Sequence, residues 1–398
     1  MKEGWKYMKL GEIATDMYRG SGIRRDQITT NGSPCVRYGE IYTTYNYYFD
    51  KCVSHTDEST IATKKYFEHG DILFAITGES VEEIGKSIAY LGNKKCLAGG
   101  DIIVMKHNQN PKYLAYALSS PNAIAQKGFG KTKLKVVHTN APSLKNVSIP
   151  VPPLPKQQRI VSYLDAEFAK IDQLKANAEK QLQAAKDLFQ SSLKELLTPK
   201  EGWVEKKLGD YATLITKGAS PKWQGFQYQD SGIPFITSEN VRDGFIDISP
   251  RKFLPSDFNV KQKRSILHKN DVLVNIVGAS IGRAAIFDLD YLDANINQAV
   301  ALVRCDSTIN VRFLCMFLNS EMASKQYDFY KKDSARANLS LENISSLSIH
   351  CPSLSEQQQI ANKLDTISAK VKALQTNYTE TITLCNDLKQ SLLKQIFE

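Results

Sequence analysis

The sequence predicts an α+β protein in which two homologous mixed α/β domains are joined by two long antiparallel coiled-coil helices with a pseudo-two-fold repeat. Three observations predict this fold class: an internal repeat with a period near 200 residues, short β-rich runs separated by turns, and a heptad pattern after each globular segment. The chain has 398 residues. This length is too great for one ordinary domain and suits two or three, and we expect two recognition domains.

The repeat is the strongest of these signals, because its identities keep nearly the same offset along the chain. Glu3-Gly4-Trp5 recurs as Glu201-Gly202-Trp203, and Asp71-Ile72-Leu73 recurs as Asp271-Val272-Leu273. The end of each copy also matches, since Gln157-Gln158 and Leu164-Asp165 return as Gln357-Gln358 and Leu364-Asp365. We therefore place boundaries that give globular segments at 1–150 and 201–350 and helical segments at 151–200 and 351–398.

Each globular segment alternates β-rich runs with Gly, Pro and Asn turns, which is typical of an α+β domain. The clearest strands are expected at 72–76, 102–104, 272–277 and 299–303. Short helices are expected at 112–118 and 311–318.

Each helical segment begins after a proline-rich entry, because proline restricts the residue before it to extended conformations. Apolar residues then recur every three or four positions, which predicts a heptad seam. The seam residues are Ile160, Leu164, Ile171, Leu174, Leu188, Ile360, Leu364, Ile367, Val371, Leu374, Leu388 and Leu392.

A single amphipathic helix would usually pack against its own domain. The presence of two such helices instead favours their packing against each other. About 40 residues would span roughly 60 Å, which is longer than one domain needs for cover. We expect the helices to bury their seams against each other. Because helix two must return along helix one, the pair is predicted to be antiparallel. Two similar units arranged in this way would have a two-fold axis and would carry their domains at opposite ends, in inverted orientation.

The charge of the chain indicates a polyanionic partner. The formal net charge is +9, and residues 1–150 hold 20 basic and 14 acidic side chains, an excess of six. Lysine and arginine that neutralise phosphates release counterions and so favour binding to nucleic acid. The sequence shows no export signal and no run of about 18 apolar residues. We therefore expect no membrane span, and we expect a cytoplasmic location.

The cysteines favour neither a disulfide framework nor a zinc site. There are seven, an odd number, and they are far apart without a CxxC pair. We expect buried free thiols. No metal site or cofactor site is predicted.

Three motifs resemble catalytic signatures, and each lacks a required feature. Gly128-Phe129-Gly130-Lys131-Thr132 resembles the end of a phosphate-binding loop, but Ala125 stands where the first glycine belongs. Val151-Pro152-Pro153-Leu154 lacks the polar and aromatic residues of an amino-methyltransferase motif. Glu205-Lys206-Lys207 has nuclease-like spacing, yet it belongs to the repeat start. We expect a chain without a catalytic centre.

Basic loops with adjacent amide or aromatic side chains are the candidates for contact with DNA. Such loops can approach the phosphate backbone, and arginine and asparagine can bond base edges. A solvated charge run remains the alternative for each of them. The candidate residues are Arg24, Arg25, Arg37, Lys127, Lys131, Lys133 and Lys135 in the first copy and Lys222, Trp223, Gln224, Lys331, Lys332, Arg336 and Asn338 in the second.

Taken together, the repeat, the helix entries PPLPKQQRI and CPSLSEQQQI, and the pair GDILFAITG and NDVLVNIVG resemble the specificity subunits of type I restriction-modification enzymes. The resemblance covers nearly the whole chain. The helix entry with its double glutamine is its most specific feature. One departure is that Arg19-Gly20-Ser21-Gly22 stands where the second copy has Gly218-Ala219-Ser220-Pro221. Contacts at this loop therefore need not be the same in the two copies.

The resemblance implies two target-recognition domains, each reading part of a bipartite site in double-stranded DNA. It also implies helices that set the spacer and bind two modification subunits, which carry the adenine-N6 methyltransferase chemistry, and restriction subunits that complete the complex. The chain itself would then bind no cofactor. Two alternatives are a solitary DNA modification enzyme, which needs a cofactor fold that this sequence lacks, and a structural coiled-coil tether, which would not explain the globular segments.

Overall fold

The computed structural model describes residues 5–131, 136–249, 251–290, 293–332 and 338–398, with the side chain of residue 332 excluded. The chain divides into two compact units. The first comprises residues 1–179 with 379–398, and the second comprises residues 180–378. Each unit therefore holds one globular segment and part of both long helices.

In the first unit, the described residues form short strands, short helices and two 3-10 turns. The strands are β1 (Lys6–Lys9), β2 (Ala14–Arg19), β3 (Ile28–Thr29), β4 (Ser33–Val36), β5 (Tyr48–Phe49), β6 (Ser54–Thr56), β7 (Tyr66–Phe67), β8 (Ile72–Ala75), β9 (Thr77–Gly78), β10 (Ser87–Tyr90), β11 (Cys96–Ala98), β12 (Ile102–His107), β13 (Val137–His138) and β14 (Ser148–Val151). The helices are α1 (Leu10–Ile13), α2 (Tyr38–Thr43), α3 (Pro111–Ala117), α4 (Pro121–Gly128) and α5 (Ala141–Lys145), and the turns are Arg25–Gln27 and Glu58–Thr60.

Among these described strands, two five-stranded sheets dominate the first unit. One sheet has the order β2-β12-β8-β10-β5 and is called the larger sheet because its strands are longer. The other, the smaller sheet, has the order β3-β6-β4-β11-β7. Strand β1 pairs antiparallel with β14, so the start and the end of the globular segment lie side by side. Strand β13 pairs with β9.

The second unit repeats this plan with fewer strands in its described part. The strands are β15 (Val204–Lys207), β16 (Ala212–Lys217), β17 (Ile233–Ile236), β18 (Phe253–Leu254), β19 (Val272–Asn275), β20 (Ala284–Ile286), β21 (Asn295–Ile296), β22 (Val300–Cys305) and β23 (Ser348–Cys351). The helices are α7 (Asp257–Lys261), α8 (Val311–Leu318), α9 (Glu321–Lys332) and α10 (Leu341–Ser345), and the 3-10 turns are Leu208–Asp210, Lys222–Gln224 and Lys263–Ser265. Its sheets have the orders β16-β22-β19-β20, β18-β17-β21 and β15-β23.

The two long helices are α6 (Leu154–Leu197) and α11 (Leu354–Phe397), each with 44 residues. Within the first unit the start of α6 and the end of α11 run antiparallel, because Asp172 accepts a 2.5 Å hydrogen bond from Lys389 and Lys175 donates a 3.1 Å bond to Asn386. The mixed α+β class, the repeat and the long helices are as the sequence predicted.

The core of each unit includes both long helices. In the first unit Leu164 and Ile171 of α6 and Leu393 and Phe397 of α11 are buried in the same cluster as the strands and α3. The second unit is built in the same way, and its cluster around α8 takes in residues of both helices. They are Ile360 and Leu364 of α11 and Leu193 and Leu197 of α6. The end of α11, which follows the second globular segment, thus completes the core of the first unit. The end of α6, which follows the first globular segment, completes the core of the second unit.

The predicted seam residues differ in burial along the two long helices. Leu164, Ile171, Leu364 and Val371 are buried, Ile360 is buried, and Ile160, Ile367 and Leu392 are partly buried. The four remaining leucines are each about 40 to 50% exposed rather than packed between the helices. They are Leu174 (52%), Leu188 (52%), Leu374 (38%) and Leu388 (48%).

The position one residue later turns inward in each case. Lys175 and Phe189 of α6, and Gln375 and Lys389 of α11, are partly or wholly buried. The apolar pattern alone therefore does not identify the buried face of each helix, because polar side chains occupy several of its positions. The Lys389 ammonium is satisfied there by Asp172 and lies 5.0 Å from the Phe168 ring centroid.

The double glutamine fastens the start of each long helix to its domain. Gln157 accepts a 3.0 Å bond from the Asn110 backbone N–H, and Gln158 accepts a 2.8 Å bond from the Asn110 side chain. Asn110 also caps α3 through Tyr113, with Pro111 at the first helical position. The second copy repeats these bonds between Asn310 and the glutamines at 357 and 358, at 2.8 and 2.7 Å.

Candidate nucleic-acid interface

Two exposed 3-10 turns occupy equivalent places after the first long strand of each copy, β2 and β16. The first turn, Arg25–Gln27, follows Arg24, and both arginines are exposed. The second turn, Lys222–Gln224, holds Trp223, whose side chain is 87% exposed. An exposed tryptophan beside a lysine is suited to stacking and phosphate contact.

Further exposed lysines lie directly before strands β7 and β11 of the smaller sheet, and the sequence reasoning missed them. Lys65 donates its backbone N–H to Ser21 Oγ at 2.7 Å, which ties β7 to the loop before Arg24. The Lys95 ammonium lies 4.4 Å from the Tyr66 ring centroid. We call the exposed set Arg24, Arg25, Lys64, Lys65, Lys94 and Lys95 the first basic face.

The second turn has a similar setting. The Lys261 ammonium donates to the Gln224 carbonyl at 3.3 Å and lies 5.1 Å from the Phe226 ring centroid. Lys263 and Arg264 follow directly in the next 3-10 turn. We call the exposed set Lys222, Arg251, Lys261, Lys263 and Arg264 the second basic face. The doublets Lys64-Lys65, Lys94-Lys95 and Lys263-Arg264 at strand ends and turns were the sequence signal that could have found both faces.

Arg37 is a weaker candidate than the sequence suggested. Its side chain is 33% exposed and lies 3.3 Å from Glu40, a nearly buried carboxylate that also accepts a 2.6 Å bond from Ser54. Removing Arg37 would leave that carboxylate without its cation. The pair therefore supports the N-terminus of α2.

Lys127 does not belong to an exposed loop, and its prediction as a DNA contact is wrong. The residue is 4% exposed, and its ammonium donates to the carbonyls of Gly85 and Leu118 at 3.0 and 2.9 Å. In the second copy the buried Tyr327 hydroxyl donates to Leu318 at 3.0 Å instead. The sequence showed a lysine next to a glycine-rich loop but could not show that it lies on the inner side of α4.

Burial of Lys127 makes the stability of the first unit depend on pH. Burial lowers the pKa of the Lys127 ammonium to about 7, while a solvated lysine titrates near 10.4. Between these values the unfolded chain binds a proton that the folded chain does not, so stability should rise as pH increases from about 7 to about 10. We expect Lys127→Met to remove up to about 1.4 kcal/mol per pH unit from this slope. Denaturant unfolding over a pH series measures it, and Lys51→Met, an exposed control, should keep the wild-type slope. Equal slopes in both variants would contradict the assignment.

Of the remaining candidates, the structure describes Lys131 after α4, Lys331 near the end of α9, and Asn338. Lys131 is partly exposed, and Lys331 pairs with Asp328 at 2.9 Å. Asn338 forms a backbone bridge to Val277. Lys133, Lys135 and Arg336 lie outside the described residues, as does the side chain of Lys332.

The buried charges that remain are paired and structural. Asp71 lies 3.1 Å from Lys106, and the repeat-equivalent Asp271 lies 2.7 Å from Arg304. Burial raises the pKa of the Asp71 carboxyl. An aspartate paired with a basic side chain at the same place in both copies indicates a support for the start of strands β8 and β19.

All seven cysteines are free thiols, and five of them are buried. Over the ranges that the structure describes, no cluster of three or more His, Cys, Asp or Glu side chains is arranged to hold a metal ion. In the same ranges no helix combines the length and the apolarity that crossing a membrane requires.

Comparison with known proteins gives a family match in both copies. The family model described as "Type I restriction modification DNA specificity domain" matches residues 2–184 and 200–384. The chain is 27% identical to the type I restriction enzyme EcoBI specificity subunit of Escherichia coli, over 74% of this chain and 67% of that protein. It is 22% identical to the EcoKI specificity subunit of Escherichia coli K12, over 100% of this chain and 89% of that protein.

Solved structures give the same fold at low sequence identity. A chain from a study of assembly and conformational transition in a type I restriction-modification system matches with a TM-score of 0.79 and 20% identity, over 99% of this chain and 98% of that one. The HsdS subunit from Thermoanaerobacter tengcongensis matches with a TM-score of 0.57 and 20% identity, over 100% and 97%. These likenesses support the fold.

Proposed function

The chain belongs to the type I restriction-modification DNA specificity family, and from this premise we propose that each of its two copies reads one half-site of a bipartite target in double-stranded DNA. As a member of this family the chain is a DNA-recognition subunit and not a catalytic one, and it assembles with other subunits. Such a complex would act on DNA in the cytoplasm. The observation that carries the proposal is the recurrence of an exposed basic face beside an equivalent 3-10 turn in each copy.

The first basic face carries six positive side chains, of which only Arg24 and Lys64 have a carboxylate within 4 Å among the described residues. Exposed ion pairs of this kind contribute little, so these groups are free to neutralise phosphates. On the second face, residues 251–264 hold five basic residues and one acidic residue. Phosphate contacts position a protein on DNA, and arginines and amides near them read base edges.

For the partner subunits, the exposed leucines of the long helices are the surface that we propose. Leu174 and Leu188 on α6 correspond in the repeat to Leu374 and Leu388 on α11, and all four are substantially exposed. Two equivalent apolar surfaces on one chain fit two copies of one partner. We propose that two modification subunits, which supply adenine-N6 methyl transfer, bind there and that the restriction subunits join the assembled complex.

The salt dependence of DNA binding tests the basic faces. We expect replacement of Lys64, Lys65, Lys94 and Lys95 by alanine to weaken binding of the complex with its modification subunits on all sequences. The slope of log K against log salt should fall by about one per lost phosphate contact. A titration of labelled duplex from low to moderate salt measures both effects.

The matched control replaces Lys180 and Lys186, two exposed lysines of α6, and should leave the salt slope unchanged. Replacement of Lys131, Lys133 and Lys135 tests the loop after α4 in the same way. If the Lys64, Lys65, Lys94 and Lys95 variant keeps the wild-type slope, the first basic face does not contact DNA.

A further inference from the structure

Two of the seven thiols meet in the first unit. Cys96 begins β11 and is 1% exposed, and Cys52 follows β5 and is partly exposed. Both belong to a hydrophobic cluster that includes strands of both five-stranded sheets, and their side chains are hydrogen-bonded to each other. They are far apart in the sequence, so only the fold brings them together.

The packing around Tyr90 holds the two thiols in place. Cys96 Sγ lies 3.3 Å from Tyr90 Oη, within hydrogen-bond distance for sulfur. A β-carbon at Gly92 would clash with this hydroxyl and with the Asp50 carbonyl oxygen. The chain just before Cys52 therefore lies beside the same hydroxyl that contacts Cys96, and the glycine at position 92 permits this close approach.

Cys35 is another thiol in this part of the first unit. It lies on β4 opposite Leu97 of β11, and successive side chains of a strand point to opposite faces of its sheet. Cys35 and Cys96 therefore lie on opposite faces, and Cys52 is the thiol that reaches Cys96.

The second copy has no thiol at the place of Cys96. Strand β21 pairs with β17 as β11 pairs with β4. In that register Ala294 stands where the first copy has Cys96. A chemical property of the two thiols therefore belongs to the first copy, and the second copy provides an internal comparison.

The hydrogen bond between Cys52 and Cys96 makes the two thiols chemically unequal. It lowers the pKa of the Cys96 thiol and raises the pKa of the Cys52 thiol. The thiolate is the form of cysteine that reacts with oxidants and with disulfides. Cys96 is therefore the nucleophile of the pair, and the partial exposure of Cys52 gives a small oxidant access to it.

We propose that Cys52 and Cys96 form a reversible disulfide when hydrogen peroxide oxidises the first unit. The Cys96 thiolate attacks one peroxide oxygen, the O–O bond breaks, and a sulfenic acid forms while the other oxygen leaves as water. The Cys52 sulfur then displaces the sulfenic hydroxyl, which leaves as a second water molecule, and the S–S bond forms. The two thiols together lose two electrons and two protons, and one peroxide is reduced to two water molecules.

The disulfide should brace the first unit. It closes a long loop and so restricts the unfolded chain more than the folded one. Strands β8 and β10 lie between the two cysteines in the sequence. Their amides should therefore exchange with solvent about tenfold more slowly in the oxidised chain than in the reduced chain, while amides of α8 in the second unit should be unchanged.

Peptide mapping without a reductant tests the proposal. The full chain is treated with a small excess of hydrogen peroxide, digested and analysed by mass spectrometry. A peptide that joins Cys52 to Cys96 should form about tenfold faster than any other cysteine is oxidised, and dithiothreitol should reverse it. Cys52→Ser and Cys96→Ser should each abolish the joined peptide. Cys315→Ser, the matched control that removes a buried thiol of the second unit, should keep it.

The map of the wild-type chain decides the proposal even where a variant does not fold. Oxidation of Cys52 and Cys96 to sulfinic acids without joining would overturn it, as would a disulfide from either residue to Cys35 or a joined peptide that forms only in denaturant. Equal exchange of the β8 and β10 amides in the oxidised and reduced chains would show that the bond does not brace the first unit. Neither measurement uses DNA, so failure here leaves the proposed function standing.

Discussion

Removing one heptad from each long helix should shorten the spacer of the recognised DNA motif by about three base pairs and leave its half-site bases unchanged. Seven helical residues span roughly 10 Å, and base pairs in B-DNA are about 3.4 Å apart. We propose that the helices act as a ruler between the half-sites. The recognition domains must then absorb part of the changed rotation around the duplex.

The contacts in the first unit define which segments to remove. Asp172 with Lys389 and Lys175 with Asn386 set an antiparallel register within the first unit. For the deletion we count this register onward, which matches 177–183 of α6 with 378–384 of α11. Removing both segments keeps every flanking position in register. Sequencing of methylated bases in DNA modified by the variant reads out the spacer.

A deletion of four residues, 177–180, from α6 alone is the matched control. The deletion changes the helical phase of the α6 residues that follow it, while α11 is unchanged. Assembly with the modification subunits should therefore weaken, and no new motif should appear. An unchanged spacer in the paired deletion, or changed half-site bases, would contradict the ruler.

Replacing Leu393 and Phe397 at the end of α11 by alanine should destabilise the first unit strongly. Leu393 and Phe397 are 0 and 2% exposed, and the Phe397 ring packs 5.5 Å from that of Tyr113. Replacing both by alanine leaves a cavity in a core that belongs to the other copy's globular segment. We expect a loss of about 5 to 8 kcal/mol in the free energy of unfolding of this unit, because buried Leu→Ala and Phe→Ala changes each cost several kcal/mol.

Hydrogen exchange can assign the loss to one unit. Amides of α3 and of the start of α6 should exchange much faster in the double variant, while those of α8 should keep their protection. Replacing Leu193 and Leu197, the equivalent residues of α6, should reverse the pattern. Leu388→Ala, on the exposed face, should change stability by less than about 0.5 kcal/mol. If each double variant affected both units equally, the end of α11 would not belong specifically to the first core, nor the end of α6 to the second.

The sequence was a good guide to the architecture because the repeat and the helix periodicity are properties of local pattern. Identical offsets placed both double glutamines correctly, and the bonds from Asn110 and Asn310 explain why those residues recur. The buried face of the long helices was less predictable, because Lys175, Gln375 and Lys389 are partly or wholly buried at positions that an apolar pattern cannot reveal.

The candidate site was less predictable, because exposure depends on tertiary packing. Lys127 looked like part of a basic loop, yet its ammonium is buried against two carbonyls. Conversely, Lys65 and Lys261 are far from Arg24 and Trp223 in sequence and are brought near them only by sheet pairing and loop contacts. Doublets of basic residues beside strands and turns were visible in the sequence, but their exposure was not.

The chosen boundaries did not predict that each core includes the end of the long helix that follows the other globular segment. The segments 1–150, 151–200, 201–350 and 351–398 remain our prediction for the units of recognition and spacing. The compact units differ from them because each takes in part of both helices. Contacts over more than 200 residues, such as Tyr113 with Phe397, carry no local sequence signal.

The most direct test of the account is motif sequencing after a domain exchange. The variant carries another family member's globular segment in place of residues 1–150 and keeps both long helices, with Leu393 and Phe397 repacked to suit the new core. Methylated bases are then mapped in DNA modified by the assembled complex. If each copy reads one half-site, one half of the bipartite motif should change while the other half stays as in the wild type. A motif in which both halves change, or in which neither does, would contradict the central claim.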